Sequence, residues 1–243
     1  EDIRSCLKKG KRCRHHLSVL LSKKEEKKMK TFLKYLRSGL ILTAIMLVIC
    51  GLAYPAAMTG LGQAIFPNQA NGSMITASGE KTEDPEKAVG SAIVGQDFSG
   101  DQRYFQGRVS SVNYNTYTRE QAENGEYGGV SSGNFNYGAS NEELKKRVEE
   151  DMQEFLETHP GVKMGDIPAD LLTASGSGLD PNITPKSAQI QIPAISAASG
   201  LSEEELEKIV KENTSGKVLG VFGHERVNVL KCNLAIAEKI GEI

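Results

Sequence analysis

Gly176-Ser177-Gly178 is the string whose backbone could most readily do chemistry. Successive amides in a glycine-rich turn after an extended segment converge on one point and can cradle phosphate. A nucleotide loop also needs a lysine followed by a hydroxyl residue, and here Leu179-Asp180-Pro181 follow instead. G-x-G by itself reads as a tight turn in which glycine supplies a positive φ, and Ser132-Gly133-Asn134 reads the same way. Ser175, Ser177, Asp180 and His224 are the residue types of a hydrolytic triad. No G-x-S-x-G elbow surrounds either serine, and neither His159 nor His224 sits in a nucleophile motif. Gly223-His224-Glu225-Arg226 reads as a turn into a strand, with Arg226 available for an ion pair. Asp97, Asp101 and Asp180 are isolated loop acids of the kind that cap turns, not a cation cage. Cys6, Cys13, His15 and His16 run C-x6-C-x-H-H, a spacing that fits no zinc pattern. No catalytic, cofactor-binding or metal-binding residue is assigned from these sets.

The elements that would position these residues follow from pattern. Residues 89–98 predict a short strand and a turn. Residues 107–139, dense in Gly, Ser, Asn and Tyr, predict irregular chain, with 112–129 a solvated insertion. Ser140 before Asn141-Glu142-Glu143 predicts a capped helix with Leu144, Val148, Met152 and Phe155 inward, stopping before Pro160-Gly161. Residues 168–175 predict a short strand, and 176–181 a sharp turn. Thr184-Pro185 predicts a helix start, with Ala188, Ile192 and Ile195 inward, a kink at Pro193 and an end at Gly200. Ser202 and Glu205 predict a capping box ahead of Leu206, Ile209 and Val210. Val218–Phe222 and Val227–Leu230 predict strands, and 231–240 a last helix. Cys232 is the lone cysteine after the apolar run, so the domain must hold together by its core rather than by a disulfide.

Charge divides the chain into three parts. Residues 1–38 carry 13 Lys and Arg against 4 Asp and Glu, a surplus of +9, and residues 39–79 carry no charged side chain. With the whole chain at −2, the rest holds −11. Gly39 to Thr59 reads GLILTAIMLVICGLAYPAAMT, and about 20 apolar residues cross a bilayer core. Lys28, Lys30, Lys34 and Arg37 precede this run and no basic residue follows before Lys81, so the positive-inside rule predicts a cytoplasmic N-terminus. The expected domains are a basic extension over 1–28, a cytoplasmic juxtamembrane segment over 29–38, a transmembrane helix over 39–59 and an extracytoplasmic domain over 60–243. Met29 heads a good start for an anchored protein. Two other readings of the apolar run compete with the anchor: a core helix of a soluble protein and a cleaved signal peptide. The fold class expected is α+β, a single N-terminal transmembrane helix followed by one compact mixed α/β extracytoplasmic domain. The acidic outer part disfavours nucleic acid as a partner.

The order of short strings carries a resemblance. After the span come Phe66-Pro67, Gln69-Ala70 and Gly72-Ser73, then Gly90-Ser91-Ala92-Ile93-Val94-Gly95-Gln96 with Phe98. Tyr104-Phe105 and Gly107-Arg108 follow, then Asp170-Leu171-Leu172-Thr173-Ala174-Ser175-Gly176-Ser177-Gly178-Leu179-Asp180-Pro181 with Thr184-Pro185. Arg226-Val227-Asn228-Val229-Leu230 with Asn233-Leu234 closes the series. From about Met29 to Ile243 the chain resembles the C subunits, KdpC, of the Kdp potassium-transporting ATPases. It departs from them at Val109, where the family often has proline, in Ser132–Gly138, and in a longer 112–129 segment.

The resemblance implies an accessory, non-catalytic subunit of a high-affinity ATP-driven potassium uptake pump in the plasma (inner) membrane. Its partners would be a channel-like potassium-translocating subunit, a P-type ATPase subunit and a small fourth subunit, besides membrane lipid. It implies support of assembly and potassium entry, with ATP-binding and ion transport handled by the complex. The chain itself has no D-K-T-G phosphorylation string and no TVGYG-type filter. Two other functions stand beside this one: a membrane-anchored extracellular enzyme and a nucleotide-binding regulator. The expected partner contacts are Gly90, Ser91, Gly95 and Gln96 in one loop and Ser175, Gly176, Ser177, Gly178 and Asp180 in the other. Gly39, Ala44 and Gly51 are the expected packing positions in the span.

Overall fold

A computed structural model describes residues 11–125 and 130–243. Cys6 and the last four residues of the 112–129 segment lie outside the described residues, as do the side chains of Cys13, His15 and His16. The chain divides after Phe66 into two compact units.

The first unit is helical. Helix α1 (Lys11–Val48) passes through a π turn at Ile49–Ala53 into α2 (Tyr54–Ile65). Leu21–Ile65 is long and apolar enough to cross a membrane, and 0% of its most apolar window is buried. That exposure sets aside a buried core helix. The helix continues ten residues past Pro55, to Ile65. Proline has no N–H to donate and its ring crowds the carbonyl four residues back. The chain absorbs this by widening the preceding turn, where the Tyr54 N–H donates to the Ile49 carbonyl.

The second unit is a mixed domain, Pro67–Ile243. It opens with α3 (Pro67–Ala70), β1 (Met74–Ile75) and β2 (Gly90–Ser91), the two strands pairing antiparallel. Loop chain then carries a 3-10 turn at Asn113–Asn115 and α4 (Arg119–Glu123) before α5 (Glu142–Thr158). After α6 (Ala169–Leu172) come β3 (Asn182–Ile183), α7 (Pro185–Gln189), α8 (Ile192–Ser199) and α9 (Glu203–Glu212). The chain ends with β4 (Thr214–Ser215), β5 (Arg226–Asn228) and α10 (Val229–Ile240). Strand β5 lies between β3 and β4, antiparallel to both.

The core forms where α9 packs on α7, α8 and α10 against this small sheet. Leu206 and Ile236 are fully buried, with Ile195, Ile209 and Val227 close to it, and each such side chain contributes about 1.5–3 kcal/mol. Local chemistry places the helix ends. Ser202 and Glu205 make the full capping box of α9, Thr184 caps α7 with Pro185 inside it, and Gly200 ends α8 in the left-handed conformation at φ 76°.

Five expectations are corrected. Residues 168–175 are not a strand: α6 occupies Ala169–Leu172, because Pro168 opens a helical turn and the Asp170 carboxylate accepts from Thr184 N and Ser187 Oγ at 2.8 and 2.6 Å. The cap of α5 is Asn141, whose side chain accepts from Glu143 N, not Ser140. Val218–Phe222 is a hairpin tip rather than a strand, and Val229-Leu230 begins α10. The 112–129 segment is not all solvated, since Tyr114 turns inward and its hydroxyl donates to the Arg108 carbonyl.

Helix α5 ends on a buried histidine. His159 stacks on Phe155 with ring centroids 3.9 Å apart, and its Nδ1 lies 2.9 Å from the Phe155 carbonyl. Burial holds the imidazole below its ordinary value, against the pull of that hydrogen bond. Between the folded value and about 6.5 the unfolded chain therefore binds more protons than the folded chain. The contribution is full above about pH 6.5 and falls away as pH drops toward the folded value. Asp151, whose carboxyl burial pushes up, acts with the opposite sign. In thermal melts of the detergent-solubilised chain from pH 7.5 to 5, the native protein should lose more stability than His159→Gln. Equal pH slopes would refute this assignment.

Candidate functional site

The two glycine-rich loops singled out by sequence meet. Gly95 N donates to the Leu179 carbonyl at 2.8 Å, joining the 90–96 loop to the 175–180 loop. A third loop joins them: Gly133 N donates to the Ser177 carbonyl at 2.9 Å, and Ser111 Oγ donates to the Gly133 carbonyl at 2.6 Å. The approach needs glycine. A Cβ at Gly95 would lie 2.9 Å from the Asp180 carbonyl, and one at Gly178, where φ is +68°, would lie 2.9 Å from the Gly133 carbonyl.

This junction is one wall of an open cleft of about 710 Å³. Ser175, Gly176, Ser177 and Asp180 line it. From the other loop the lining residues are Ala92, Ile93 and Val94, while Gly90, Ser91, Gly95 and Gln96 build the wall behind them. Ser91 Oγ donates to the Gly72 carbonyl at 2.6 Å and Gln96 Nε2 to the Val89 carbonyl at 3.0 Å. The opposite wall was missed by sequence. It comes from the end of α9, from β4 and from β5 into α10, with Asn213, Thr214, Arg226, Asn228 and Lys231. Asn228 Nδ2 ties this wall to the first loop through the Ala92 carbonyl at 2.8 Å. The signal lay in the Arg226–Leu230 string, which sequence spacing does not connect to a loop residue 136 positions earlier.

Charges of both signs meet in the cleft. Arg108 Nη1 lies 3.3 Å from Asp180 Oδ2, with both side chains partly buried. Asp180 Oδ1 accepts from Asn182 N and Nδ2, each at 3.0 Å. Beneath them the Tyr114 phenol is pushed up to about 12, by burial first and then by Asp180 and Asp97. It stays a neutral donor at any physiological pH.

The structure places the residues of the chemistries weighed from sequence as follows. Gly178 N and Leu179 N already donate to the Ser175 carbonyl and to Ser177 Oγ, so these amides of the glycine turn do not converge on a free anion. His224 is not among the cleft residues, whereas Ser175, Ser177 and Asp180 are. Of the loop acids, Asp97 caps Ser99 N, Asp101 grips Arg103 and Asp180 pairs with Arg108. What remains is a polar, two-signed groove with an apolar lip, a surface suited to contact.

Residues 36–238 match the family described as the K+-transporting ATPase c chain, KdpC. The chain belongs to the KdpC family. It is 54% identical over 213 residues to the potassium-transporting ATPase KdpC subunit of Clostridium kluyveri, covering 88% of this chain and 98% of that one. The KdpC subunit of Clostridioides difficile is 56% identical over 216 residues, 87% of this chain and all of its own length. That of Caldanaerobacter subterraneus is 43% identical over 198 residues, covering 82% and 92% of the two chains. Membership makes this KdpC chain an accessory subunit of a potassium-transporting ATPase, with the other Kdp subunits as its partners.

Proposed function

We propose that this chain is the non-catalytic subunit that steadies a potassium uptake pump from outside the cytoplasm. The helix spans the membrane with its basic end inside, and the domain that follows it rests on the external mouth of the channel-like subunit. The observation that carries this reading is the convergence of the 90–96 and 175–180 loops on one open cleft of mixed charge. Such a groove suits a segment of a partner better than a reacting substrate. ATP and potassium are handled by the complex, and any influence of this subunit on ATP use passes through its contacts. Gly39, Ala44 and Gly51 offer partner helices close approach: the two glycines have nothing within 4 Å of an added Cβ. The expected segment boundaries, 29–38 inside, 39–59 across and 60–243 outside, belong to the same proposal.

Sidedness tests it. Val130 is 80% exposed, while the Cys232 thiol is buried and pushed up to about 12, out of reach of thiol reagents. In Val130→Cys, a membrane-impermeant maleimide should label the new thiol in cells whose outer envelope, if any, is permeabilised. Labelling that begins only once the plasma membrane is broken would overturn the outward placement.

A further inference from the structure

We propose that the hairpin tip Val218–Phe222 is a plug that seats in an apolar pocket on a partner subunit of the pump, an inference that rests on the accessory-subunit reading. Between β4 and β5 the chain doubles back tightly. Val218 N donates to the Phe222 carbonyl at 2.8 Å and Phe222 N donates back at 3.0 Å. Gly220 N donates to the Lys217 carbonyl and Val221 N to the Val218 carbonyl, each at 3.2 Å. Four backbone donors of the tip are thus satisfied within it, as backbone entering an apolar surrounding requires.

The side chains face the other way. Val218, Leu219, Val221 and Phe222 are 60%, 86%, 75% and 65% exposed. Single apolar residues are ordinary on a surface, but a contiguous group at a protruding tip marks a contact. The turn itself points the same way. Leu219 and Gly220 have φ of 53° and 73°, the left-handed pair for which Asn-Gly is the favoured sequence. Leucine at the first position accepts backbone strain and keeps an apolar side chain outward.

The surroundings choose protein over lipid as the occupant. The base of the hairpin supplies Thr214, Ser215 and Arg226 to the cleft rim, so tip and cleft form one continuous surface. Arg108, Arg226 and Lys231 stand there beside Asp180 and Glu212. An apolar knob flanked by polar groups of both signs has the anatomy of a protein interface. A loop built to enter lipid would be flanked by cations without interspersed acids.

The test uses the full chain co-expressed with its own pump subunits in membranes. Leu219→Asn restores the favoured turn residue. It should leave the melting temperature of the chain unchanged or raised, while recovery of the other subunits on a tagged chain falls at least tenfold. Phe222→Ser should lower recovery likewise. With p-benzoylphenylalanine in place of Val221, irradiation should give a covalent adduct to a pump subunit. Assembly of Leu219→Asn and Phe222→Ser at native levels, or adducts to lipid alone, overturns the plug. Failure of the native chain to co-purify with any pump subunit overturns instead the reading on which the plug rests.

Discussion

A methyl group placed on Gly95 is expected to destabilise the domain by about 2–3 kcal/mol and to part the loops of the cleft. The added Cβ would stand 2.5 Å from Tyr114 Cε1 and 2.9 Å from the Asp180 carbonyl oxygen. Neither neighbour can yield freely. Tyr114 is tied through its hydroxyl to the Arg108 carbonyl, and its ring also lies under Gly107, where a Cβ would meet the Tyr114 oxygen at 2.8 Å. The Asp180 carbonyl is backbone, next to Leu179, which accepts the Gly95 N–H at 2.8 Å. Relief of the clash therefore lengthens the hydrogen bond that joins the two loops. For a unit of this size the melting temperature should fall by roughly 4–12 °C, and recovery of partner subunits should fall with it. Gly176→Ala is the matched control, since a Cβ there meets nothing within 4 Å. Equal melting temperatures for the two variants would remove the close-packed junction as the reason for glycine at position 95.

Asn233→Leu should cost more, about 3–5 kcal/mol, although the side chains are similar in size. Asn233 is 2% exposed on α10 and works as a substitute strand. Its Oδ1 accepts from Phe105 N at 2.8 Å and its Nδ2 donates to the Phe105 carbonyl at 2.9 Å. The next residue is held the same way from α8's approach: Gln106 N donates to Gln191 Oε1 at 2.8 Å, and Gln191 Nε2 donates to the Gln106 carbonyl at 3.3 Å. Two buried amide side chains thus complete the backbone pairing of a segment that pairs with no strand among the described residues. Leucine would leave a buried N–H and a buried carbonyl unsatisfied, each worth about 1–3 kcal/mol. Asn233→Asp should also destabilise, because it loses the donor and brings charge into the core. Urea unfolding of the variants measures both effects. A loss under 1 kcal/mol for Asn233→Leu would show that water or a shifted backbone takes over. Combining it with Gln191→Leu should give less than the sum, because the two clamps hold adjacent residues.

These two clamps mark what the sequence hides. Asn233 and Gln191 look like polar interruptions of apolar helix faces, and no local rule connects either with residues some 85 to 128 positions away. Helix starts and stops were legible where a side chain closes its own turn: Thr184-Pro185, Ser202 with Glu205, and Gly200. Strands were legible only in part: β2 falls within the expected 89–98 segment and β5 overlaps the expected Val227–Leu230, but β1, β3 and β4 went unread, because each has only two residues and offers no alternation to read. The 168–175 segment shows why. Its apolar pair Leu171-Leu172 suits a strand or a helical turn equally, and the decision falls to Asp170, whose partners lie 14 and 17 residues later.

The cleft was half legible. Glycine at positions 90, 95, 176 and 178 pointed to two tight loops, but glycine reports where backbones crowd rather than which residues face outward. Hence Ala92–Val94 and the Arg226–Lys231 wall were found only in three dimensions. The long apolar helix was legible because an uncharged run of that length needs no tertiary context.

The π turn at Ile49–Ala53 alters the bookkeeping of that helix. A regular α-helix advances about 100° per residue, which would bring Gly39 and Gly60 to within about 60° of each other around the axis. One extra residue in the wide turn sets everything beyond it back by about 100°, leaving the two glycines about 160° apart. A neighbour gripping the helix before the wide turn and another gripping it after would then approach from nearly opposite azimuths. The long apolar helix thus offers its small residues on two faces, where an unbroken wheel would have shown one seam.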